Sequence, residues 1–317
     1  MKRPFVTIGV PCFKGRHFKE ALECWKRQTF KDFDVFVQDN CSPDDLEGIF
    51  NAVCAGDSRF HFARSAEGSY PNFVDNWQIT LDKADGEFFV LGSDDDLYEA
   101  NFLEELVRLA EKHPTVDMFD ARHDLFNRNG IVSLHPRSPE LESQIEWIYA
   151  LVCHTRYEVA QSVMARTAAL REIGGFVNLP VAWGACDWLT WCRLAKNGVV
   201  NSRSRLMHWR FDGGNTTMNK SPKTLRYKAD ALRLARPMWE ELVDELEGGN
   251  EEERFMVEQI RRKVHSGYLD WLGMATYRDM PFGMFVKELR DYYRDGTISF
   301  RRLLREVRGA AKRALRR

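Results

Sequence analysis

Apolar positions over the first 110 residues follow two alternating rhythms. Short apolar-rich runs at Phe5-Val-Thr-Ile-Gly-Val-Pro11, Asp34-Val-Phe-Val-Gln-Asp-Asn40 and Arg59-Phe-His-Phe-Ala63, and the unbroken one at Phe88-Phe-Val-Leu91, read as strands. The last, bounded by Gly86 and Gly92, suits a strand buried on both faces of a parallel sheet. Between these runs apolar residues recur at helical spacing: Phe18, Ala21, Leu22 and Trp25; the stretch 44–53; residues 70–83 with Phe73, Trp77 and Leu81; and Phe102, Leu103, Leu106, Leu109 and Ala110. Alternation of this kind predicts an α/β fold with a Rossmann-like, mostly parallel sheet flanked by helices and joined by right-handed crossovers.

Beyond residue 112 the rhythm changes. Asp117-Met-Phe-Asp-Ala-Arg-His-Asp-Leu-Phe and Gly130-Ile-Val-Ser-Leu predict an antiparallel pair joined by the turn Asn127-Arg-Asn-Gly. A helix follows near 140–153, then a strand at Gln161-Ser-Val-Met-Ala, a short helix, a helix within 182–198 that stops at Asn-Gly, and a last strand beginning at Leu206. From about 221 the pattern is helical, broken at Gly248-Gly249, Pro281-Phe-Gly and Asp295-Gly. The expected organisation is therefore a domain over 1–220, with halves 1–112 and 113–220, followed by a helical region over 221–317.

Composition narrows the class of function. With 29% charged and 44% hydrophobic residues the chain is ordinary for a water-soluble protein. A net charge of −1 over 317 residues argues against binding nucleic acid through overall positive charge. Seven cysteines form no C-x-x-C pair, which disfavours a disulfide framework or a thiolate zinc site and fits a reducing compartment. No run approaches a membrane span and Met-Lys-Arg-Pro leads straight into a strand, so the expected location is cytoplasmic.

The densest candidate chemistry follows the fourth strand, where Asp94, Asp95 and Asp96 stand together. A loop at the C-terminal end of such a strand lies where open α/β sheets bind ligands. Three adjacent carboxylates repel one another unless a cation or donors sit among them, and hard oxygen ligands favour Mg²⁺ or Mn²⁺. The competing reading is local: Asp96 and Glu99 have the spacing of a capping box for the helix that carries Phe102. Strand ends near Pro11 and Asp39 would share that edge, with Phe13 as an apolar wall and Asp39 as an acceptor for a base N–H. Taken singly, Phe13 and Asp39 read more plainly as a core aromatic and a turn residue. No G-x-G-x-x-G follows the first strand and no G-x-x-x-x-G-K-[ST] is present, which disfavours dinucleotide and P-loop chemistry.

Three blocks in order, Val-Thr-Ile-Gly-Val-Pro-Cys-Phe-Lys-Gly, Ala-Leu-Glu-Cys-Trp-Lys-Arg-Gln-Thr-Phe-Lys-Asp-Phe-Asp-Val-Phe-Val-Gln-Asp-Asn and Ala-Asp-Gly-Glu-Phe-Phe-Val-Leu-Gly-Ser-Asp-Asp-Asp, make the chain resemble the family 2 glycosyltransferases of GT-A fold over roughly residues 4–220. The resemblance implies that Pro11 and Phe13 line the nucleotide base, Asp39 reads its edge, and Asn72 lies near the nucleotide. Asp94 and Asp95 match the acidic pair, the first near the ribose and the second on the metal, with Asp96 an additional acid and Gly92 where many relatives carry another aspartate. Asp187 matches the catalytic base, preceded here by Cys186 where many relatives show glutamate. Asp212 stands in place of a metal-binding histidine, His208 is a competing ligand, and Arg210 with the Gly213-Gly214 loop would steady the diphosphate. From the helix pattern alone, Asp187 is an acid favoured by the helix dipole.

The function implied is an inverting, metal-dependent transfer of a sugar from a nucleoside-diphosphate sugar, UDP-linked for preference, to a hydroxyl of a glycan or glycolipid. Its setting would be cell-surface polysaccharide or glycoconjugate synthesis. The alternatives are a sugar nucleotidyltransferase and a non-catalytic nucleotide-sugar-binding protein. The helical region could cover the acceptor site, make a homodimer or contact a surface. Residues 301–317 hold eight Arg or Lys and a single Glu among Leu303, Leu304, Val307, Ala311, Ala314 and Leu315. Such a basic amphipathic helix suits anionic lipid on the inner face of a membrane, a solvated tail being the plainer reading; it lacks aromatic residues for stacking on nucleic acid.

Overall fold

The computed structural model describes residues 5–69, 72–153, 155–156, 159–180, 186–212, 222–265, 282–294 and 300–314. The chain divides into two compact units, one of residues 1–178 and 186–215, the other of 179–185 and 216–317.

The first unit is built on one sheet. Four strands, β1 (Val6–Cys12), β2 (Phe33–Asp39), β3 (Phe60–Arg64) and β4 (Phe88–Leu91), pair in parallel in the order β3-β2-β1-β4. The crossovers are α1 (Phe18–Lys26), α2 (Leu46–Cys54) and α3 (Val74–Asp82). All four residues of β4 are buried, as an uninterrupted apolar run requires. Phe18, Ala21, Leu22 and Trp25 form the inward stripe of α1, as their spacing predicts.

After β4 the chain forms a two-residue strand, β5 (Leu97–Tyr98), and then α4 (Phe102–Lys112). Tyr98 lies 4.0 Å from Trp25, ring to ring, and Phe102 5.9 Å from it, so α1, β5 and α4 close over one aromatic cluster. The predicted hairpin forms as β6 (Met118–Asn127) and β7 (Gly130–Leu134), antiparallel. Then come β8 (Leu141–Glu142), α5 (Gln144–Val152), β9 (Val163–Arg166), α6 (Thr167–Glu172), α7 (Cys186–Leu194) and β10 (Val199–Arg210). The full order is β3-β2-β1-β4-β9-β6-β10-β5. β9 runs antiparallel between β4 and β6, and β10 returns parallel to β6, so the sheet is mostly parallel with an antiparallel seam.

The second unit is helical where described: α8 (Pro222–Asp244), α9 (Glu251–His265), α10 (Phe282–Arg294) and α11 (Phe300–Ala314). Gly248 and Gly249 fall between α8 and α9, as expected of residues that break helices; Pro281, Asp295 and Gly296 lie outside the described residues. No described helix is long and apolar enough to cross a membrane.

Candidate active site

The acids after β4 join three parts of the sheet edge. Asp94 Oδ2 accepts the backbone N–H groups of Phe13 (2.8 Å) and Lys14 (2.9 Å), fixing the loop that leaves β1. Burial and the neighbouring charge of Asp95 push the Asp94 carboxyl up to about 6, against the pull of those two N–H groups. Asp96, 1% exposed, accepts the backbone N–H of Arg210 at 2.8 Å and so holds the end of β10. Burial and Asp95 push its carboxyl well above the usual range. Asp95 between them is half-buried; Ser93 Oγ donates to its Oδ1 at 2.6 Å.

The capping-box expectation at Asp96 and Glu99 is therefore corrected. Leu97 and Tyr98 pair with His208 and Met207 of β10, Glu99 N–H donates to Leu206 O, and the helix begins only at Phe102 behind Asn101. Pairing with a strand more than 100 residues away outweighs a local cap, because it satisfies backbone groups that would otherwise be buried without partners.

On the β1–β2 side, Pro11 is half-buried in β1 opposite Gln38, and Phe13 is 45% exposed in the loop beyond. Asp39 has no exposed surface. Its Oδ1 accepts Ser42 N–H at 2.7 Å and its Oδ2 the guanidinium of Arg64, which also donates to Ser42 O at 2.9 Å. These bonds hold a tight turn in which Cys41 adopts φ +57°. Asp39 thus fixes the turn that follows β2, and Arg64, which nothing in the sequence pattern singles out, is its ion-pair partner. Replacing Arg64 by Ala should cost about 2 kcal/mol of stability, less than a fully buried pair because Arg64 is itself part-exposed. A fall in the melting temperature checks this.

Asn72 donates to Asn178 Oδ1 at 2.7 Å, and Asn178 donates to Asp75 Oδ1 at 2.7 Å. Asn72 therefore links the start of α3 to the chain that runs toward α7.

At the end of β10, Arg210 is 9% exposed and clamps the acidic loop. Its Nε donates to Asp95 O (2.6 Å), its Nη2 to Glu20 Oε2 (2.7 Å), and its guanidinium lies 4.8 Å from the Phe126 ring centroid. Asp212 is held by His17 Nε2 at 3.0 Å and Arg16 Nη1 at 3.3 Å. Both ring nitrogens of His208 face carboxylates, Nδ1 toward Asp124 and Nε2 toward Glu99, each at 3.0 Å. The Gly213-Gly214 loop lies outside the described residues.

The four-residue metal set of Asp95, Asp96, Asp212 and His208 is not brought together. Among the described residues no three His, Cys, Asp or Glu side chains gather into a group that could hold a metal ion. The reasons are visible bond by bond: Asp96 is buried against Arg210, His208 lies between two acids, and Asp212 pairs with His17 and Arg16. Of the three acids in the loop, Asp95 is half-buried and accepts from Ser93 Oγ, and its charge adds to the burial that raises the Asp94 and Asp96 carboxyls.

Beside Arg210 opens a cavity of about 480 Å³, lined by Arg16, His17, Arg128, Phe211 and Asp212 among others. Sequence reading missed His17 and Glu20 as members of this edge. At the start of α1 they look like ordinary helix-terminus residues, and their partners lie 195 and 190 positions away.

Asp187 sits in the first turn of α7, half-buried, its Oδ1 accepting the N–H of Trp188 at 2.9 Å. Burial pushes its carboxyl up to about 6. One turn on, Trp191 packs against Phe176 (5.8 Å), which in turn meets Phe89 of β4 (6.2 Å) and Trp77 of α3 (5.5 Å). The helix that carries Asp187 is thereby anchored to the strand that delivers the acids. A carboxyl poised near neutrality suits proton abstraction from a hydroxyl.

Residues 7–163 match the family model described as Glycosyl transferase family 2. An uncharacterized glycosyltransferase of Rickettsia typhi is 30% identical over 116 residues, covering 36% of this chain and 35% of its own length. The GalNAc(5)-diNAcBac-PP-undecaprenol beta-1,3-glucosyltransferase of Campylobacter jejuni is 30% identical over 111 residues, 34% of this chain and 35% of its own. The chain thus spans about a third of the length of these curated relatives. Among solved structures, S. aureus TarS 1–349 in complex with UDP-GlcNAc aligns with a TM-score of 0.65 at 15% identity, over 98% of this chain and 91% of that one. The mannosyltransferase PcManGT of Pyrobaculum calidifontis, in complex with GDP-Man and Mn²⁺, aligns with a TM-score of 0.55 at 14% identity, over 99% and 88%. These likenesses establish a glycosyltransferase fold of the GT-A type. Residues 7–163, just under half of the chain, thus carry the sequence pattern of glycosyl transferase family 2.

Proposed function

We propose that the chain is an inverting glycosyltransferase that moves a sugar from a nucleoside-diphosphate sugar, preferably UDP-linked, to an acceptor hydroxyl in polysaccharide or glycoconjugate synthesis. The family match supports the reaction class. The UDP-GlcNAc held by TarS and the undecaprenol-linked glycan in the name of the Campylobacter relative support the donor and the setting.

The observation that carries this reading is the acidic loop. Asp94 and Asp96 fix the loop after β1 and the end of β10, and Asp95 stands half-buried between them. In the proposed arrangement Pro11 and Phe13 flank the base, on a wall stiffened by Asp39 and Asn72. Arg210 holds the Asp95 backbone and offers positive charge beside the diphosphate. Mg²⁺ or Mn²⁺, held by Asp95 and by the oxygens of the diphosphate itself, would supply the positive charge that the leaving group needs. One or two carboxylates plus substrate phosphates is an ordinary Mg²⁺ site, so the missing four-residue set is no obstacle. Asp187 takes the proton of the acceptor hydroxyl as that oxygen attacks the anomeric carbon from the face opposite the nucleotide, which is single displacement with inversion.

Incubating the chain with a panel of nucleotide sugars, with and without Mn²⁺, tests this directly. Release of nucleoside diphosphate is expected, and with an acceptor, a product of inverted anomeric configuration by NMR. Release of pyrophosphate would assign nucleotidyl transfer instead, and donor binding without turnover would leave a binding protein.

A further inference from the structure

The helical hairpin of α10 and α11 carries an exposed apolar edge with basic residues beside it. Phe285 and Leu289, one turn apart on α10, are 2% and 1% exposed and form its inward face. Leu303 and Val307 of α11 are half-buried, and the two helices pack against each other. Phe300 and Leu304, also one turn apart, are instead exposed, 55% and 39%. Tyr293 at the end of α10 is exposed as well and lies 5.8 Å from the Phe300 ring, which extends the apolar edge across both helices.

Next to that edge runs a stripe of cations. Arg301, Arg305 and Arg308 are all exposed at spacings of four and three, so they line one side of α11 adjoining Phe300 and Leu304. Arg290 and Arg294, exposed and one turn apart on α10, add to the same hairpin. Glu306, 3.7 Å from Arg305, is the single acid between 301 and 317.

We propose that this hairpin binds an anionic phospholipid surface, with Phe300, Leu304 and Tyr293 entering the headgroup boundary and the arginines on the phosphates. Charge complementarity selects the occupant. A solvated helix has no use for exposed Phe and Leu one turn apart, and a protein-only apolar interface has no use for a row of exposed arginines along its rim that one acid, Glu306, only partly balances. Together the two are the signature of a helix lying in a bilayer interface. The placement would hold a transferase beside a lipid-borne acceptor, yet it depends on the hairpin alone and not on the transfer reaction.

The test is flotation of the full chain with vesicles of phosphatidylglycerol and phosphatidylcholine, against vesicles of phosphatidylcholine alone. Binding to the anionic vesicles only, lost at high salt, is expected. Two variants separate the contributions: Phe300→Ser with Leu304→Ser, and Arg301→Glu with Arg305→Glu and Arg308→Glu. Each should lower the bound fraction about tenfold or more, with far-UV circular dichroism unchanged, while the charge control Arg262→Glu on α9 floats like the wild type. Wild-type chain that stays unbound at low salt overturns the proposal, as does equal binding to neutral vesicles or unaltered flotation of both variants. A monomer–dimer equilibrium abolished by the Phe300→Ser, Leu304→Ser variant, without flotation, would assign the edge to a second copy, and retention by RNA in place of vesicles would assign the arginines to nucleic acid.

Discussion

Asp187→Asn should lower the turnover number for transfer by about 100- to 10,000-fold, the usual range for a positioned general base, while UDP binding by calorimetry changes less than about twofold. The variant keeps size and shape and removes only basicity. The pH dependence follows from the same group. Burial raises the Asp187 carboxyl to about 6, so the fraction of wild-type chain with a usable base should fall about tenfold per unit below that pH, and kcat/KM with it. Stability supplies an independent check. Because the folded-state pKa lies above the unfolded one, the folded chain binds this proton more tightly, and the charged form weighs against folding as pH rises through about 6. The Asn variant should therefore melt higher than wild type above pH 6, with the difference gone below the ordinary carboxylate range. Wild-type turnover in Asp187→Asn would remove the base assignment.

Asp95→Ala should weaken UDP binding in Mn²⁺ by at least about tenfold, yet leave it unchanged in EDTA, if the cation takes its protein contact here. The neighbouring acids make the contrast. Asp94→Ala releases the N–H groups of Phe13 and Lys14, so it should loosen the base wall and weaken UDP binding with or without metal. Asp96→Ala strips the buried N–H of Arg210 of its acceptor and should lower the melting temperature. Asp95→Ala should not, since its charge raises the carboxyls on both sides and its removal relieves that repulsion. Equal metal dependence in wild type and Asp95→Ala would place the cation elsewhere.

Most elements of the first unit were legible because one rhythm dominates each. Phe88–Leu91 is apolar on both faces, α1 and α4 carry clean stripes, and Asn127-Arg-Asn-Gly marks its own hairpin. β5 and β8 were not legible. Each is two residues long, too short for a period, and each exists only because β10 passes beside it. The acids show the same division. Their number and place after β4 are written in the sequence, but which of them folds the protein and which faces the pocket is not.

By itself, the sequence determined the alternation of strand and helix, the family it resembles, the acidic loop at the end of β4 and the basic, amphipathic character of residues 301–317. All of these are local, set by side-chain periodicity and by runs of one residue type. Only the tertiary structure decided that Asp94 bonds to a loop 81 residues away, that Asp212 meets His17 across 195 residues, and that His208 is enclosed by Glu99 and Asp124. Those pairings depend on which strand ends the sheet order sets side by side. A carboxylate or imidazole offers the same donors and acceptors wherever it lies, so its role is fixed by its neighbours in space and not by its neighbours in the chain.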